Sequence, residues 1–558
     1  MLDVVILGQL ATVVLGAGAP GASAAVTWAR AAVPAVVPAQ DSVERARAVH
    51  LLNRIAYGPR PGDVELVLRT GVDRFLELQL RPEDIPDSAA AAYLARLDVL
   101  RMSARELGRV YLEQQRARRA RQRDSAMAPR RAPTPPTGMR RYLGEFQQAV
   151  VARAVLSERQ LYEVMVDFWT NHFNVFLGKG IDRFLLPSYI EGIIRPRALG
   201  KFEDLLIATA RSPAMLFYLD NAQSVAPGAE PPQLRRLRER RRMSPMRMER
   251  RARADSMLAR LERRMPRGLN ENYARELLEL HTLGVDGGYS QDDIIDVARI
   301  LTGWGIDRRD GGVEFAFREW AHDRDAKVVL GRTFRAGRGM DEGVELLRFL
   351  ARHPSTMRFV SAKLCERFVS DRPPDGCIDA GAHAWARTGG DIREVVRAIL
   401  TSPEFWAPEH RGAKVKTPLE FVASAVRAVG GAPDTTLALA QVVGRLGQPL
   451  YLEPAPTGYP EHEEDWVNAG ALLQRFNVAL AIAAGRAPGV ALPAASPIAI
   501  TTDYDRLVDQ VNRVILQHGA SAHTVTVMRL QAAEITSASL ARTLLIGLAL
   551  GSAEFQRQ

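Results

Sequence analysis

Apolar residues recur at helical spacing along most of this 558-residue chain. The clearest pattern lies in the stretch 270–305, which reads NENYARELLELHTLGVDGGYSQDDIIDVARILTGWG. Its polar residues gather on one arc of a helical wheel, and Gly284 predicts the end of a first helix. Ser290 and Asp293 have the spacing of a capping box, which predicts the start of a second helix. We therefore predict two amphipathic helices joined by a glycine turn, with the rest of the chain arranged around them.

The same periodicity predicts helices over most of the remaining chain. Ser212, Ser402 and Ser552 each follow an apolar helix, which predicts that they cap new helices. Only two segments, one from Val313 and one from Lys327, alternate apolar and polar residues as strands do. The predicted fold class is all-α: a compact multi-helical array with one small β-hairpin near 313–334.

The N-terminus carries a short apolar run, Val4–Leu15, followed by Ala22-Ser23-Ala24, a pattern typical of a cleaved signal peptide. Because about 20 apolar residues are needed to cross a bilayer, we expect export without stable membrane insertion. The predicted location is periplasmic or secreted. The expected parts are a signal peptide at 1–24, a linker at 25–45, a helical domain at 46–485, and C-terminal helices at 486–558 that pack on it.

The formal net charge of +10 is unevenly distributed. The segments 116–141 and 233–267 carry net charges of +8 and +10, so the remaining chain carries −8. Neither segment has a sustained apolar stripe, and we predict disordered basic insertions at 116–141 and 225–267. Because the positive charge lies there without interleaved aromatic residues, the pattern argues against nucleic-acid binding.

The two cysteines, Cys365 and Cys377, lack the Cys/His spacing of a zinc site. In an exported protein they can close a short disulfide, and equally Cys365 can be a buried apolar residue. The sequence contains no motif with the spacing of a known metal site, phosphate-binding loop or serine nucleophile. It therefore predicts no metal ligands and leaves any cofactor unknown.

Several motifs together resemble a known family. In chain order they include HLLNRIAYGPRPGDVE from His50, DFWTNHFNVF from Asp167, NENYARELLELHTLGVDGGYS from Asn270 and HDRDAKVVLGRTF from His322. Over roughly 45–485 the chain is similar to a bacterial family named domain of unknown function 1800. The resemblance implies no settled activity. It does imply a partner, because members are commonly encoded beside a sulfatase-like companion, which suggests a joint function in the cell envelope.

The first candidate site is the pair Asn171 and His172. Between Trp169 and Phe173 they would form a polar pair in an aromatic wall, as pockets often require. A histidine with an ordinary pKa of about 6.5 can act as an acid, a base or a metal ligand. The alternative is a core histidine that is hydrogen-bonded to a backbone carbonyl.

The second candidate is the polar flank of the first central helix. Asn272 and Glu276 lie beside its buried side and can face a cleft, and Arg275 can stabilise an anion. The alternative is a ladder of charges on a solvated face. We expect Glu276 to interact with His172, directly or through one water or ion, because an unpaired buried polar group costs about 1–3 kcal/mol.

The third candidate is His322 and Asp323, with Lys327 four residues beyond. These groups on one short turn can bind an anion, or Asp323 can orient His322. The alternative is a polar hairpin tip. Trp466 is a further candidate for substrate contact.

Two classes of function remain open. The first is an exported hydrolase acting on a cell-envelope or extracellular polymer, and the second is a non-enzymatic scaffold or partner-binding protein. Convergence of the candidate residues on one concavity would favour the hydrolase, and scatter would favour the scaffold. The predicted catalytic residues are His172, Glu276, Asn171, Arg275, His322 and Asp323, and the predicted substrate contacts are Asn272, Lys327 and Trp466.

The signal-peptide pattern generates a first expected outcome. Expressed in a Gram-negative host, the protein should leave the cytoplasm and lose its leader near Ala24. Mass spectrometry of the N-terminus of the mature protein checks this. An intact Met1 on protein that stays in the cytoplasm would contradict the predicted location.

Overall fold

A computed structural model describes residues 39–124, 138–243, 255–259, 268–308 and 312–558. It confirms the predicted all-α fold class, with three small two-stranded antiparallel sheets among these residues. The predicted signal peptide, and the linker up to residue 38, lie outside the described residues. Among the described helices, none is both long and apolar enough to span a membrane.

The helices are numbered in chain order. In the first part of the chain they are α1 Ala39–Ile55, α2 Asp63–Thr70, α3 Val72–Gln79, α4 Ser88–Leu94, α5 Ala104–Asp124, α6 Met139–Leu156, α7 Gln160–His172, α8 Asp182–Tyr189, α9 Phe202–Ala210, α10 Pro213–Tyr218, α11 Pro232–Met243, α12 Glu271–Glu279 and α13 Gln291–Ile300. A π-helical turn, Ile190–Ile194, and a 3₁₀ turn, Arg195–Arg197, follow α8.

Shorter helices alternate with longer ones in the rest of the chain. They are α14 Met340–Ala351, α15 Pro354–Phe368, α16 Asp375–Thr388, α17 Ile392–Leu400, α18 Pro403–Trp406, α19 Pro418–Ala428, α20 Ala438–Arg445, α21 Glu463–Trp466, α22 Ala469–Ala483, α23 Tyr504–Val514, α24 Ala522–Ala533, α25 Ala538–Gly551 and α26 Ala553–Gln556. The strands are β1 Trp304–Asp307, β2 Glu314–Phe317, β3 Lys327–Val329, β4 Arg332–Phe334, β5 Ala432–Pro433 and β6 Val490–Ala491.

Local capping signals fix where many helices begin. Ser212, Ser402 and Ser552 each accept a backbone N–H of the helix that follows, as predicted. Ser290 and Asp293 form the predicted capping box at the start of α13. Each such cap typically contributes about 1 kcal/mol, so the helix starts are set by the sequence itself.

The central pair consists of α12 and α13. Helix α12 buries Tyr273, Leu277 and Leu278. It ends sooner than Gly284 predicts, because the N–H of His281 bonds to the carbonyl of Glu276 in a widened last turn, at 3.0 Å. His281 is therefore carried into the core by an irregular segment and not by the helix.

The two segments of the predicted hairpin belong to two separate hairpins. Strand β1 pairs with β2, and β3 pairs with β4, so the predicted pairing of the segments at Val313 and Lys327 is wrong. Leu330 and Gly331 both have positive φ, 49° and 74°. Two such residues in succession form the tight turn that closes a two-residue hairpin, so β3 turns back directly onto β4.

One large apolar core contains residues from Ala48 to Phe555. The C-terminal helices belong to it, since α25 packs closely on α22. A Cβ at Gly547 or Gly551 would lie 2.6 Å from Leu480 or 2.3 Å from Phe476, so these glycines allow the close approach. The residues of 46–485 and 486–558 thus share one interior.

Helices extend into both basic insertions. Helix α5 runs to Asp124, and α11 lies within the second insertion, where Leu234 is buried. Arginine is a good helix former, which explains why helices are possible in such basic segments. The remaining residues of the insertions, 125–137, 244–254 and 260–267, lie outside the described residues, and the prediction for them stays a prediction.

Cys365 and Cys377 form a disulfide that links α15 to α16 across a sequence separation of 12. Both residues are fully buried. Of the two alternatives for these cysteines, the structure contains the short disulfide.

Removing this disulfide should destabilise the protein. The double variant Cys365→Ala/Cys377→Ala should lose about 3 kcal/mol of unfolding free energy, because a closed loop of this length restricts the unfolded chain. Urea unfolding measures the loss. Reductant should lower the stability of the wild type and leave the variant unchanged; equal stability of the two under oxidising conditions would contradict the role of the disulfide.

Candidate functional site

The segment 167–176 at the end of α7 fastens a long loop, 449–466, to the helical core. The side-chain oxygen of Asn171 accepts the N–H of Tyr459 at 2.7 Å, and its amide donates to the carbonyl of Tyr459 at 2.8 Å. Asn174 donates to the carbonyls of Glu453 and Ala455, at 3.0 and 2.7 Å. Both asparagines therefore bind backbone, and they fix the position of the loop.

His172 lies in the aromatic core instead of a pocket. Its ring packs on Trp169, Phe173 and Phe359, and its Nε2 is 3.2 Å from the carbonyl of His281, to which it donates. Burial lowers the pKa of His172 to about 3. The imidazole is thus held neutral at physiological pH and is too weakly basic for acid–base catalysis there. His172 is therefore a core histidine that is hydrogen-bonded to a backbone carbonyl, the alternative given for it above.

The polar flank of α12 faces mainly solvent. Asn272 is exposed, and Arg275 donates to the side chain of Gln291 at 3.0 Å. Burial and the nearby carboxylate of Glu279 raise the pKa of Glu276, which is half-buried. Within the described residues no hydrogen bond or ion pair joins Glu276 to His172, so the direct form of the expected interaction is wrong. An interaction through one water or ion stays a prediction.

The residues around β3 form a buried network of charges. Arg299 donates to the carboxylate of Asp323 at 2.8 Å, and Lys327 and His322 both meet Oε2 of Glu342, at 2.9 and 3.2 Å. Burial alone would raise the pKa of Asp323, but hydrogen bonds, above all from Arg299, hold it below its usual range. The charges of this cluster are used to join β3, α13 and α14, so it has a structural role.

The predicted site residues therefore do not converge. Trp466 packs near Tyr459 and donates to the carbonyl of Pro460 at 3.0 Å. It therefore belongs to the loop that Asn171 binds. The other predicted residues lie in separate places: His172 in the aromatic core; Asn272, Arg275 and Glu276 on α12; and His322, Asp323 and Lys327 in the buried network.

A polar cavity of about 60 Å³ lies where α7 meets the loop. At roughly 10–15 Å³ for each water, it has room for about four to six waters. Asn171 lines it, and the charged and tyrosine side chains around it are Arg153, Glu163, Asp167, Arg195, Arg367, Glu420, Glu461, Tyr57, Tyr451 and Tyr459. The backbone of Tyr451 has a φ of 62°, a strained conformation for a non-glycine residue.

Two carboxyl groups line this cavity without a protein partner. Asp167 and Glu461 take part in no side-chain hydrogen bond or ion pair among the described residues. Burial, opposed by the charge of Arg367 and aided by the negative charge of Glu461, raises the pKa of Asp167 to about 7. Burial also raises the pKa of Glu461, although Arg367 and Lys414 oppose this effect. Strongly shifted carboxyls in a cavity are typical of acid–base sites.

The other charges of the cavity wall are paired. Two guanidinium nitrogens of Arg195 donate to the two carboxylate oxygens of Glu163, at 2.8 and 2.7 Å. Arg367 meets Glu420 at 2.6 Å. Burial would raise the pKa of Glu420, but the charge of Arg367 holds it below its usual range. These pairs make a rigid, charged wall around Asp167 and Glu461.

Sequence reasoning missed both carboxyls, although two signals were present. Asp167 begins the motif DFWTNHFNVF and stands one helical turn before Asn171, on the same face of α7. Glu461 lies in a proline-rich loop longer than about 15 residues, a length that is uncommon outside functional loops. Neither signal connects the two residues, which are far apart in the chain.

Within the described parts of the chain, no group of three or more His, Cys, Asp and Glu side chains is arranged to hold a metal ion. A family model described as "Protein of unknown function (DUF1800)" matches residues 50–557. No curated protein and no solved structure matches the chain.

The burial of His172 predicts how stability depends on pH. Its pKa is about 3 in the folded protein and 6.5 in the unfolded chain. As the pH falls below 6.5 the unfolded chain takes up a proton that the folded protein does not, so stability falls until about pH 3. His172→Gln should remove this contribution, which reaches about 1.4 kcal/mol per pH unit.

Urea unfolding of the wild type and the variant between pH 4.5 and 7 measures the two slopes. His383→Gln, at an exposed position, is the matched control and should keep the wild-type slope. Equal slopes in the wild type and His172→Gln would show that His172 is not buried in its neutral form.

Proposed function

Because the chain belongs to the DUF1800 family, whose description assigns it no activity, we propose a function from the site itself: a hydrolase that uses Asp167 and Glu461 on a polar substrate. The observation that carries this proposal is that both carboxyls line one cavity and that neither has a side-chain hydrogen bond or ion pair within the described part of the chain. Both side chains are only partly exposed, and a carboxyl that is partly withdrawn from water without a partner costs free energy. Such a cost is commonly kept where a ligand or a reacting group supplies the partner.

The two carboxyls can divide the proton transfers of hydrolysis between them. Coupled carboxyls hold one proton over a range of pH, so one acts as acid while the other acts as base. Asp167, with its pKa raised to about 7, is the proposed acid. Glu461 is the proposed base, because Arg367 and Lys414 favour its ionised form.

In the proposed step Glu461 takes a proton from water while the water oxygen bonds to the electrophilic atom of the substrate. Asp167 gives its proton to the leaving group as the bond to that group breaks. The proton on Glu461 then returns to Asp167 through the cavity. The paired guanidinium groups of Arg195 and Arg367 offer positive charge where negative charge develops on the substrate.

The size of the cavity limits what can react there. Room for about four to six waters accommodates the attacking water and one small polar group, and not a whole residue of a polymer. We therefore propose that only the group to be cleaved in an envelope or extracellular polymer enters the cavity, while the rest of the polymer stays outside it. The Cys365–Cys377 disulfide supports the proposed periplasmic or secreted location, because disulfides persist mainly in oxidising compartments.

A second candidate is a scaffold that works with a sulfatase-like companion. The observation that favours it is the internal use of the predicted polar residues, since Asn171, His172 and Lys327 bond to groups of the same chain. On this proposal the carboxyls of the cavity would stabilise the fold or bind a partner, and no reaction would depend on them.

Paired isosteric variants separate the two candidates. Asp167→Asn and Glu461→Gln should each lower kcat by about 10²–10⁴-fold on purified envelope polymers, scored by the release of new chain ends. Activity of the wild type should fall as the pH rises above about 7, because the acid must keep its proton. Glu464→Gln, an exposed carboxyl of the same segment, is the matched control.

A stability measurement checks the same site without a substrate. The pKa of Asp167 is about 7 in the folded protein and 3.8 unfolded, so its ionisation weakens the fold as the pH rises from 3.8 to 7. Asp167→Asn should therefore match the wild type at pH 4 and exceed it in melting temperature at pH 8. A wild-type rate in Asp167→Asn would exclude it as the acid and favour the scaffold.

A further inference from the structure

We propose that an open groove beside the turn Ile190–Arg197 binds an anionic polysaccharide chain. The groove has a volume of about 670 Å³ and runs between this turn and helix α9. Binding there requires no hydrolysis, so the inference goes beyond the proposed function and can fail or hold separately from it.

The turn separates the groove from the cavity. Its residues Ile190 and Arg195 line the cavity, while Ile193, Pro196 and Arg197 line the groove. The π-helical start of this turn is unusual, and π-helical turns are often found at functional sites. One short segment therefore borders both surfaces.

The charges of the groove point to an anionic ligand. Arg197 donates only to the carbonyls of Gly192 and Ile193, and Arg211 lies 4.9 Å above the ring of Phe315. Neither guanidinium forms an ion pair among the described residues. Lys201 adds a third cation, which meets Asp391 at 3.3 Å.

One carboxylate, Asp204, opposes these three cations in the lining of the groove. The groove is thus positive on a chain whose net charge outside the two basic insertions is −8. A cationic patch on an acidic body attracts polyanions locally while the rest of the surface repels them.

The shape and apolar surface of the groove favour an extended carbohydrate chain. A volume of this size without enclosure suits several linked units better than one small molecule. Ile193, Ile207 and Pro213 offer apolar surface on which the faces of sugar rings can lie. The lining contains no aromatic side chain, so the stacking platform for bases that single-stranded nucleic acids need is missing.

Hydrogen exchange with polygalacturonate as the probe tests the proposal on the full chain. At low salt the probe should slow exchange across 190–213, and about 0.5 M salt should reverse the effect, because screening weakens contacts between exposed charges. The charge-removing variant Arg197→Gln/Arg211→Gln should weaken this protection about tenfold in probe concentration. Neutral dextran should protect nothing.

Controls separate the groove from other sources of binding. Arg69→Gln/Arg74→Gln removes the same charge from exposed positions elsewhere and should bind like the wild type. Asp167→Asn should also keep full protection, so that a failure of hydrolysis and a failure of binding are distinguishable. Protection confined to the insertions 116–141 and 233–267 would overturn the proposal. Stronger protection of 190–213 by a single-stranded oligonucleotide than by polygalacturonate would overturn it too.

Discussion

The buried ion pair between Arg367 and Glu420 is the interaction on which the rest of this region depends. Both side chains are almost completely removed from water, and breaking such a pair leaves an uncompensated buried charge that costs about 3–5 kcal/mol. Glu420 also accepts the backbone N–H of Thr417 and the side-chain amide of Gln558. A single carboxylate thereby joins α15, the start of α19 and the C-terminal segment.

This arrangement explains why Asp167 and Glu461 form no ion pair within the described residues. Arg367, whose charge acts on both carboxyls, is already bound to Glu420, so it stabilises them only through longer-range attraction. Asn171 and Asn174 bind the backbone of the loop that carries Glu461, which fixes that loop without neutralising the carboxyl. Rigid supports around unneutralised groups are what a preorganised site requires.

Local patterns predicted the helices because each one buries a periodic stripe and begins at a cap within its own sequence, as α13 does at Ser290. The same patterns did not predict strand β1. Trp304–Asp307 continues directly from a helical pattern and becomes a strand only by pairing with β2. The carboxyls of the cavity were not predicted for the same reason, because contacts between distant parts of the chain bring them together. His172 and Asp167 look equally suited to a pocket, and the choice between them is made by a loop almost 300 residues away.

The contrast between His172 and Asp167 shows how different the surroundings of two side chains at one helix end can be. The aromatic side of α7 removes His172 from water and gives it one carbonyl partner, which suffices for a neutral imidazole. The opposite constraint acts on Asp167, whose surroundings raise its pKa but leave its carboxyl open to the cavity. A helix end between an apolar core and a polar loop thus supplies a packing residue on one face and the proposed acid on another. The two arginines of the turn Ile190–Arg197 differ in a similar way. Arg195 is paired with Glu163 in the cavity wall, whereas Arg197 has no carboxylate partner in the described chain.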